Sequence, residues 1–111
     1  MYARLIQLTA KPGQVKDCVR ALVDQGLPLL KQQPGFVDAV ALTSEAELDK
    51  FVGITFWKSR EDAERYVGGQ GRKELDSIRP ILQNEPASGY YNLEASTIHS
   101  LGNVGRAASQ R

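Results

Sequence analysis

The 111-residue sequence predicts a single α+β domain in which four strands and two helical regions alternate in the order βαββαβ. Three observations support this prediction. Two stretches have apolar residues three and four positions apart, the spacing of one helix face. Four stretches are rich in apolar and aromatic residues and contain no proline, a pattern typical of strands. Gly- and Pro-containing segments separate several of them. We therefore expect a four-stranded antiparallel sheet with helices on one face.

The first half of the chain contains one strand and one helical region. The strand is predicted at residues 2–9 and is followed by a Lys-Pro-Gly turn. The next apolar positions follow helical spacing, at Val15, Cys18, Val19, Leu22 and Val23. Because Pro28 has no N–H to donate to the carbonyl of Asp24, we expect a kink or break there. Gly35 is expected to end the helical region.

The middle of the chain predicts a hairpin followed by a capped helix. Residues 36–43 and 50–57 have strand character, and an acidic turn at 44–47 connects them. Ser59 stands three residues before Asp62, which is the spacing of a capping box. We therefore expect a helix to begin at Ser59.

The last third predicts a broken helix, a loop and a final strand. The glycine-rich segment at 68–71 interrupts the helix, and a loop is expected at 85–89. The last strand is predicted from Tyr90 to Ile98. The domain then covers residues 1–99, and residues 100–111 are expected to form a mobile tail. The second helical piece turns three apolar residues inward: Leu75, Ile78 and Leu82.

The amino-acid composition limits the kinds of molecule that this protein is expected to bind. Fourteen Lys and Arg against thirteen Asp and Glu leave a net charge of +1, so we expect no binding to nucleic acid or to a membrane surface. No apolar run approaches the ~20 residues of a membrane span. The single cysteine, Cys18, excludes an internal disulfide. The chain begins with strand-like sequence and no secretory signal, so a cytoplasmic location is expected.

The second strand is apolar on both of its faces, with Val37, Ala39 and Ala41 alternating with Phe36, Val40 and Leu42. Two helices cover only one face of a sheet, and strands buried on both faces lose the apolar and polar alternation. We therefore expect a homodimer in which sheet faces sheet, with Ala39 on the interface side.

Four short segments resemble the antibiotic biosynthesis monooxygenase family, and the resemblance spans roughly residues 2–97. They are Leu-Ile-Gln-Leu at 5–8, Lys-Pro-Gly at 11–13, Gln-Pro-Gly-Phe at 33–36 and Phe-Trp-Lys-Ser at 56–59. The resemblance implies a ferredoxin-like fold that assembles as a dimeric α/β barrel. It also implies monooxygenation, without a cofactor, of small aromatic metabolites related to phenols or quinones.

The resemblance to the haem-degrading members of this superfamily implies which positions of this sequence correspond to their functional residues. Tyr66 stands where these relatives have a catalytic Trp, and Asp76 stands where they have a haem-ligating His. Ile6 or Gln7 takes the place of a functional Asn. Aspartate is a poor haem-iron ligand compared with histidine. We therefore expect neither haem degradation nor a bound metal or cofactor.

The cofactor-independent branch implies a different use of the pocket. It requires a base or a cation that stabilises a phenolate, within a dry aromatic slot. Tyr66 is a candidate wall, Tyr90 or Tyr91 are further aromatic candidates, and Arg4 or Arg79 are candidate cations. No motif is tight enough to assign a catalytic residue. The candidates for the substrate pocket are Tyr66, Trp57, Asp76, Ile6, Gln7 and Arg4.

Several of these residues also have a structural interpretation. Trp57 is either a core aromatic that anchors helix to sheet or a pocket wall. Arg4 is either an edge residue that reaches water or a pocket cation. Cys18 lies on an apolar helix face and is interpreted as a buried, unreactive thiol, and His99 has no metal-ligand partner at suitable spacing.

Two other functions are disfavoured. The glycine-rich segment at 68–73 lacks the GxxxxGK[ST] spacing of a phosphate loop, although it is a candidate lid. The strand at 50–57 lacks the Gly-aromatic pattern of RNA-binding domains of this topology. Three classes remain open: a monooxygenase, a non-catalytic ligand-binding dimer and a structural homo-oligomer. A cavity reached by Tyr66 between helices and sheet, large enough for two rings, would favour the first.

Overall fold

The computed structural model describes residues 1–99 and confirms the ferredoxin-like α+β fold. Residues 100–111, predicted to be a mobile tail, lie outside the described residues. Four antiparallel strands form one sheet in the order β2-β3-β1-β4. The strands are β1 Tyr2–Thr9, β2 Phe36–Thr43, β3 Lys50–Trp57 and β4 Ala87–Asn92. The first three coincide with the predicted spans.

The helical layer covers one face of the sheet. It contains α1 Val15–Ala21, a π-helical segment Leu22–Gly26, α2 Leu27–Lys31, α3 Arg60–Gly68, α4 Gln70–Ile78 and a 3₁₀ turn Arg79–Ile81. Within residues 1–99, no helix has the length and apolar character to cross a membrane.

The expected irregularity at Pro28 takes the form of a π-helical turn. The Leu27 N–H donates to the carbonyl of Leu22, five residues earlier, so the helix widens immediately before the proline. Pro28 then occupies the first turn of α2, where its missing N–H is tolerated. The helical region therefore continues through Pro28 without a break and ends at Lys31. Gly35 follows in the turn to β2, with a φ of +78°.

The capped helix and its interruption are confirmed. The Ser59 hydroxyl accepts a hydrogen bond from the Asp62 backbone N–H, at 3.2 Å, and α3 begins at Arg60. The helix ends at Gly68, and α4 begins at Gln70.

The last strand differs from its prediction. We expected a loop at 85–89 and a strand from Tyr90 to Ile98, whereas β4 runs from Ala87 to Asn92. Its extent is set by its neighbour β1, because Asn92 pairs with Tyr2 and no strand residue of β1 precedes Tyr2. After β4 the chain reaches the uncovered face of the sheet, where His99 Nε2 lies 3.2 Å from Asp38 Oδ2.

The assignment of Ala39 to the uncovered face is wrong. The pairing register of β2 shifts between Phe36 and Asp38, a β-bulge that inserts one extra residue. Phe36 and Ala39 both pack against the core beneath the helices, although simple alternation places them on opposite faces. Val40 and Leu42 instead lie on the uncovered face and are 40% and 50% exposed.

Two hydrophobic clusters hold the helices on the sheet. The first comprises Leu8, Ala10, Cys18, Phe51 and Leu82. The second comprises Leu30, Trp57, Ala63 and Tyr66. All nine side chains are at most 7% exposed. Apolar burial of this kind contributes roughly 25 cal/mol per Å², so these clusters dominate the attachment of the helical layer.

Candidate functional site

A cavity of about 120 Å³ lies between the helical layer and the sheet. Its walls come from strands β1, β2 and β3, from α1, the π-helical segment and α2, and from α3 and α4. Most of the walls are apolar, including Ile6, Leu8, Leu22, Phe51, Leu75 and Ile78. A largely apolar cavity with a few polar groups is the usual form of a small-molecule site.

At three glycines the absence of a side chain leaves room for the cavity or for the side chains that line it. A Cβ on Gly53 of β3 would lie 3.3 Å from Ile6 Cγ2. A Cβ on Gly26, in the π-helical segment, would lie 3.4 Å from Glu74 Oε2. A Cβ on Gly71 would lie 2.7 Å from Tyr66 Cε2, too close for the ring to keep its position. The break between α3 and α4 thus admits the Tyr66 ring.

Tyr66 and Glu74 form a hydrogen-bonded pair across the α3–α4 junction. The Tyr66 hydroxyl donates to Glu74 Oε2 at 2.8 Å. Burial raises the pKa of the Tyr66 hydroxyl far above its ordinary value, and the Glu74 carboxylate raises this pKa further. Burial also raises the pKa of Glu74, against the opposing effect of the hydrogen bond from Tyr66. Tyr66 therefore remains a hydrogen-bond donor at neutral pH.

The cavity walls also contain an unpaired donor and an unpaired acceptor. Arg4 Nε and Glu74 Oε1 are buried, and neither has a hydrogen-bond partner among the described residues. The charge of Arg4 acts on Tyr66, whose pKa it lowers slightly against the stronger effects of burial and Glu74. Buried polar atoms without partners are rare and costly in folded proteins. Arg4 and Glu74 therefore bring unused hydrogen-bonding capacity to the walls of the cavity.

The structure brings three of the predicted pocket residues together. Arg4, Ile6 and Tyr66 all line the cavity. Trp57 lies behind this wall and is fully buried, with its ring centroid 5.2 Å from that of Tyr66. The indole Nε1 donates to Thr55 Oγ1 at 2.9 Å, and Thr55 itself lines the cavity. Trp57 thus supports the site from the core.

Gln7 and Asp76 lie away from the cavity. Gln7 is exposed on the opposite face of β1 because adjacent strand residues point to opposite faces. Asp76 is exposed on α4, where its Oδ1 lies 2.8 Å from Arg79 Nε. Arg79, a candidate cation, is occupied by this ion pair and by a second one with Glu85. Of the two alternatives on the first strand, Ile6 lines the cavity.

The two tyrosines of β4 lie on opposite faces of the sheet. Tyr90 is on the helix side and stacks on Tyr2, with ring centroids 5.7 Å apart. Tyr91 is on the uncovered face and is 56% exposed. Neither lines the cavity. Cys18 does line it, and burial raises the pKa of its thiol, which keeps the sulfur protonated.

Sequence reasoning missed Glu74 and the π-helical segment. A signal for Glu74 was present, because it adjoins Leu75 and lies four residues before Ile78, on the edge of the inward helix face. A carboxylate there either reaches solvent or enters a polar site. Among residues 1–99, no group of three or more His, Cys, Asp and Glu is placed to hold a metal ion.

Comparison with known sequences identifies one matching family model. The model described as antibiotic biosynthesis monooxygenase matches residues 1–75 of this chain. No curated protein matches the sequence.

Solved structures share the fold at low sequence identity. NE2512, a protein of unknown function from Nitrosomonas europaea, has a TM-score of 0.77 at 22% identity, covering 89% of this chain and 94% of its own. A variant of SnoaB, a cofactor-independent oxygenase from Streptomyces nogalater, has a TM-score of 0.71 at 14% identity, covering 88% and 98%. An antibiotic biosynthesis monooxygenase has a TM-score of 0.70 at 16% identity, covering 84% and 98%. At these identities the likeness concerns the fold alone.

Proposed function

Because this chain belongs to the antibiotic biosynthesis monooxygenase family, we propose that it is a cofactor-independent monooxygenase of small phenol- or quinone-like metabolites. Substrate would bind in the cavity between the helices and the sheet. The observation that carries the proposal is the unpaired Arg4 Nε in an apolar cavity, close to the Tyr66–Glu74 pair. A partly buried cation such as Arg4 stabilises a phenolate more strongly than a cation in water does.

The chemistry follows from the electron-rich character of a deprotonated phenol. In the overall reaction a phenol and O₂ give a quinone and water. One oxygen atom replaces a ring hydrogen and becomes a carbonyl, and the hydroxyl becomes the second carbonyl. The other oxygen atom leaves as water with the two hydrogens. The substrate supplies all four electrons, so the protein only has to bind, orient and deprotonate it.

The cavity volume sets an expectation for substrate size. A cavity of roughly 150 Å³ accommodates a benzene ring, and the cavity here is about 120 Å³. The cavity is therefore smaller than the two-ring space expected of a monooxygenase site, and a single-ring phenol requires a modest enlargement. A substrate with two fused rings requires the walls to open, and the junction between α3 and α4 is where we expect them to yield.

The uncovered sheet face supports the expectation of a homodimer. Val40, Leu42 and Tyr91 lie on it and are 40%, 50% and 56% exposed. Exposed apolar side chains concentrated on one face favour association. We propose that two chains pack these faces together.

An oxygen-uptake assay tests the proposed activity. We expect consumption of O₂ with a hydroxynaphthoquinone-like probe or a single-ring phenol. Tyr66→Phe removes only the hydroxyl that bonds to Glu74 and is expected to slow uptake about tenfold, the effect of losing roughly 1.4 kcal/mol. Tyr91→Phe makes the same chemical change on the uncovered face and should leave the rate unchanged.

Three outcomes would count against this function. Probes that neither bind nor consume oxygen would remove its support. Probes that bind without oxygen uptake would favour a non-catalytic ligand-binding homodimer of the same fold, and probes that do not bind at all would favour a structural homodimer. If Tyr66→Phe unfolds the protein while Tyr91→Phe does not, the Tyr66 hydroxyl is needed for folding and its assignment to the site fails.

A further inference from the structure

Only one of the two oxygens of the Glu74 carboxylate has a hydrogen-bond partner among the described residues. Its Oε2 accepts the Tyr66 hydroxyl hydrogen at 2.8 Å, whereas its Oε1 is buried without a partner among the described residues. A carboxylate in water accepts hydrogen bonds on both oxygens. No described residue replaces the hydrogen bonds that this oxygen makes to water in the unfolded chain, and a ligand that donates to it would restore one.

Glu74 is held in this position from two sides. The Tyr66 hydroxyl binds one oxygen, and Gly26 of the π-helical segment approaches so closely that a Cβ there would lie 3.4 Å from Oε2. The widened helix before Pro28 thus lies beside the carboxylate, and the hydrogen bond from Tyr66 fixes Oε2.

Arg4 does not neutralise this carboxylate directly. Within residues 1–99, no ion pair at 4.0 Å or less joins Arg4 and Glu74, although both line the same cavity and Arg4 Nε is also without a partner. Arg4 and Glu74 therefore line one apolar space without meeting each other, and each has a buried polar atom without a partner among the described residues. A ligand group that both accepts and donates a hydrogen bond would satisfy the two together.

We propose that Glu74 Oε1 accepts the hydroxyl proton of a single-ring phenol whose oxygen also accepts a hydrogen bond from Arg4 Nε. This inference rests on the proposed function and specifies its substrate class and its proton acceptor. The apolar walls, which include Ile6, Phe51 and Leu75, receive the ring.

This arrangement discriminates among ligands of similar size. A benzoate has only acceptors, so it would place a second negative charge beside Glu74. An anilinium has only donors and a positive charge, so it would face Arg4 unfavourably. Fluorobenzene matches phenol in shape but has no hydrogen to donate. Phenol alone of these four satisfies both unpaired atoms.

Proton transfer within the complex leaves its total charge unchanged. The proton moves from the phenol oxygen to Glu74 Oε1, which leaves a neutral carboxylic acid and a phenolate beside the Arg4 guanidinium. Burial, which raises the pKa of Glu74, makes this carboxylate a stronger base than one on the surface. The Arg4 charge stabilises the phenolate that forms.

Anaerobic titration calorimetry with phenol, fluorobenzene and benzoate separates binding from oxidation. We expect the native protein to bind phenol about tenfold more tightly than fluorobenzene, and benzoate most weakly. Glu74→Gln keeps an oxygen for Tyr66 but turns the other atom into a donor. It should weaken phenol binding about tenfold and leave fluorobenzene unchanged. Glu64→Gln, the same change on the exposed side of α3, should alter neither affinity.

The pH dependence of phenol binding provides a second readout. The other titratable groups around the cavity are Tyr66, Cys18 and Arg4. The raised pKa values of Tyr66 and Cys18 keep both neutral between pH 5 and 8, and an arginine remains charged. Phenol affinity should therefore rise as Glu74 ionises, in a step above the ordinary carboxyl range. The step should vanish in Glu74→Gln and persist in Glu74→Asp, which keeps a carboxylate if the amide variant fails to fold.

The inference and the proposed function fail in different ways. Equal phenol affinity in the native protein and Glu74→Gln, or tighter binding of benzoate than of phenol, would overturn the inference. Oxygen uptake undiminished in Glu74→Gln would overturn it and leave the oxygenase proposal standing. Binding that depends on Glu74 but is not accompanied by oxygen uptake would support the inference and overturn the oxygenase proposal.

Discussion

Three polar side chains from three different elements converge on one cavity. Arg4 comes from β1, Tyr66 from α3 and Glu74 from α4. Only the Tyr66 hydroxyl and one Glu74 oxygen satisfy each other, at 2.8 Å. Unsatisfied polar atoms in a folded interior lower stability, and such sites are where a protein gives up stability for binding or catalysis. The energetic consequence should be measurable at Glu74.

Glu74→Gln is expected to stabilise the protein at high pH. Because burial raises the pKa of Glu74 in the folded state, the native state holds its proton more tightly than the unfolded chain does. This contribution to stability is fully present below the unfolded pKa and is lost as pH rises through the folded pKa. The variant has no such loss.

Thermal unfolding of both proteins between pH 4.5 and 8 checks this expectation. Near pH 4.5 the melting temperatures should agree. At pH 8 the variant should melt about 2–4 °C higher, roughly 0.5 kcal/mol, because solvent screens a half-buried carboxylate. A difference that does not change with pH would show that Glu74 ionisation is not its cause.

Haemin should not be turned over by this protein. Asp76, which the resemblance puts in the place of the ligating His of haem-degrading proteins, is exposed and paired with Arg79 at 2.8 Å. The 120 Å³ cavity is also far smaller than a haem requires. Incubation with haemin, a reductant and catalase should leave the Soret band unchanged relative to a sample without protein. Loss of the band at a rate proportional to protein concentration would contradict this.

At the scale of elements, the turn before β2 is coupled to the cap of α3. Gly35 has a φ of +78°, and a Cβ placed on it would lie 2.0 Å from Asp62 Oδ2. The same Asp62 oxygen accepts the Ser59 hydroxyl hydrogen at 2.9 Å. The Lys58 N–H donates to the Gly35 carbonyl at 2.9 Å. Gly35 therefore lies where the start of β2, the end of β3 and the cap of α3 contact one another.

Gly35→Ala should be much more destabilising than Gly13→Ala. Gly13 has nearly the same φ, +79°, but a Cβ there has nothing within 4 Å. Gly13→Ala therefore measures the backbone cost alone, about 1–2 kcal/mol. Gly35→Ala adds displacement of Asp62 and loss of the cap, for a total of roughly 3 kcal/mol or more. Urea unfolding of both variants gives the comparison, and equal losses would show that the Asp62 contact is unimportant.

At the scale of the whole molecule, the sheet has one covered face and one open face. The helices cover the first, and the chain after β4 covers one end of the second, where the His99 ring lies 5.3 Å from that of Phe56. The remaining open surface includes Val40 and Leu42, both partly exposed. An apolar sheet face of this kind suits the proposed self-association, and the near-neutral charge offers little repulsion to oppose it.

Leu42→Asp should convert the dimer to a folded monomer. Leu42 is 50% exposed in the single chain, so a carboxylate there costs the isolated domain little but would be buried without a partner in a dimer. Light scattering should give twice the 12.2 kDa chain mass for the native protein and the chain mass for the variant. Val23→Asp, a control on the helical layer at 53% exposure, should remain dimeric. A native protein that is monomeric at micromolar concentration would refute the dimer.

The sequence alone determined the local elements of this protein. Strands β1, β2 and β3, the capping of α3 and its end at Gly68 all follow from signals within a few residues, namely apolar periodicity, a Ser–Asp cap and glycine. Tyr66, Arg4 and Ile6 were likewise identified as pocket candidates, by resemblance and by their place in these elements.

Only the tertiary structure decided how these elements meet. The limits of β4 depend on where β1 begins, and Tyr2 of β1 lies 85 residues before Ala87 in the chain. The side of the sheet on which Ala39 lies depends on a β-bulge that no local sequence pattern indicates. The site depends on Glu74 meeting Tyr66 across a helix break and on Arg4 reaching the same cavity from a distant strand. Periodicity tells which side of an element is apolar. Which polar side chains share one buried space is set by packing between elements, and the energies of that packing involve residues far apart in the chain.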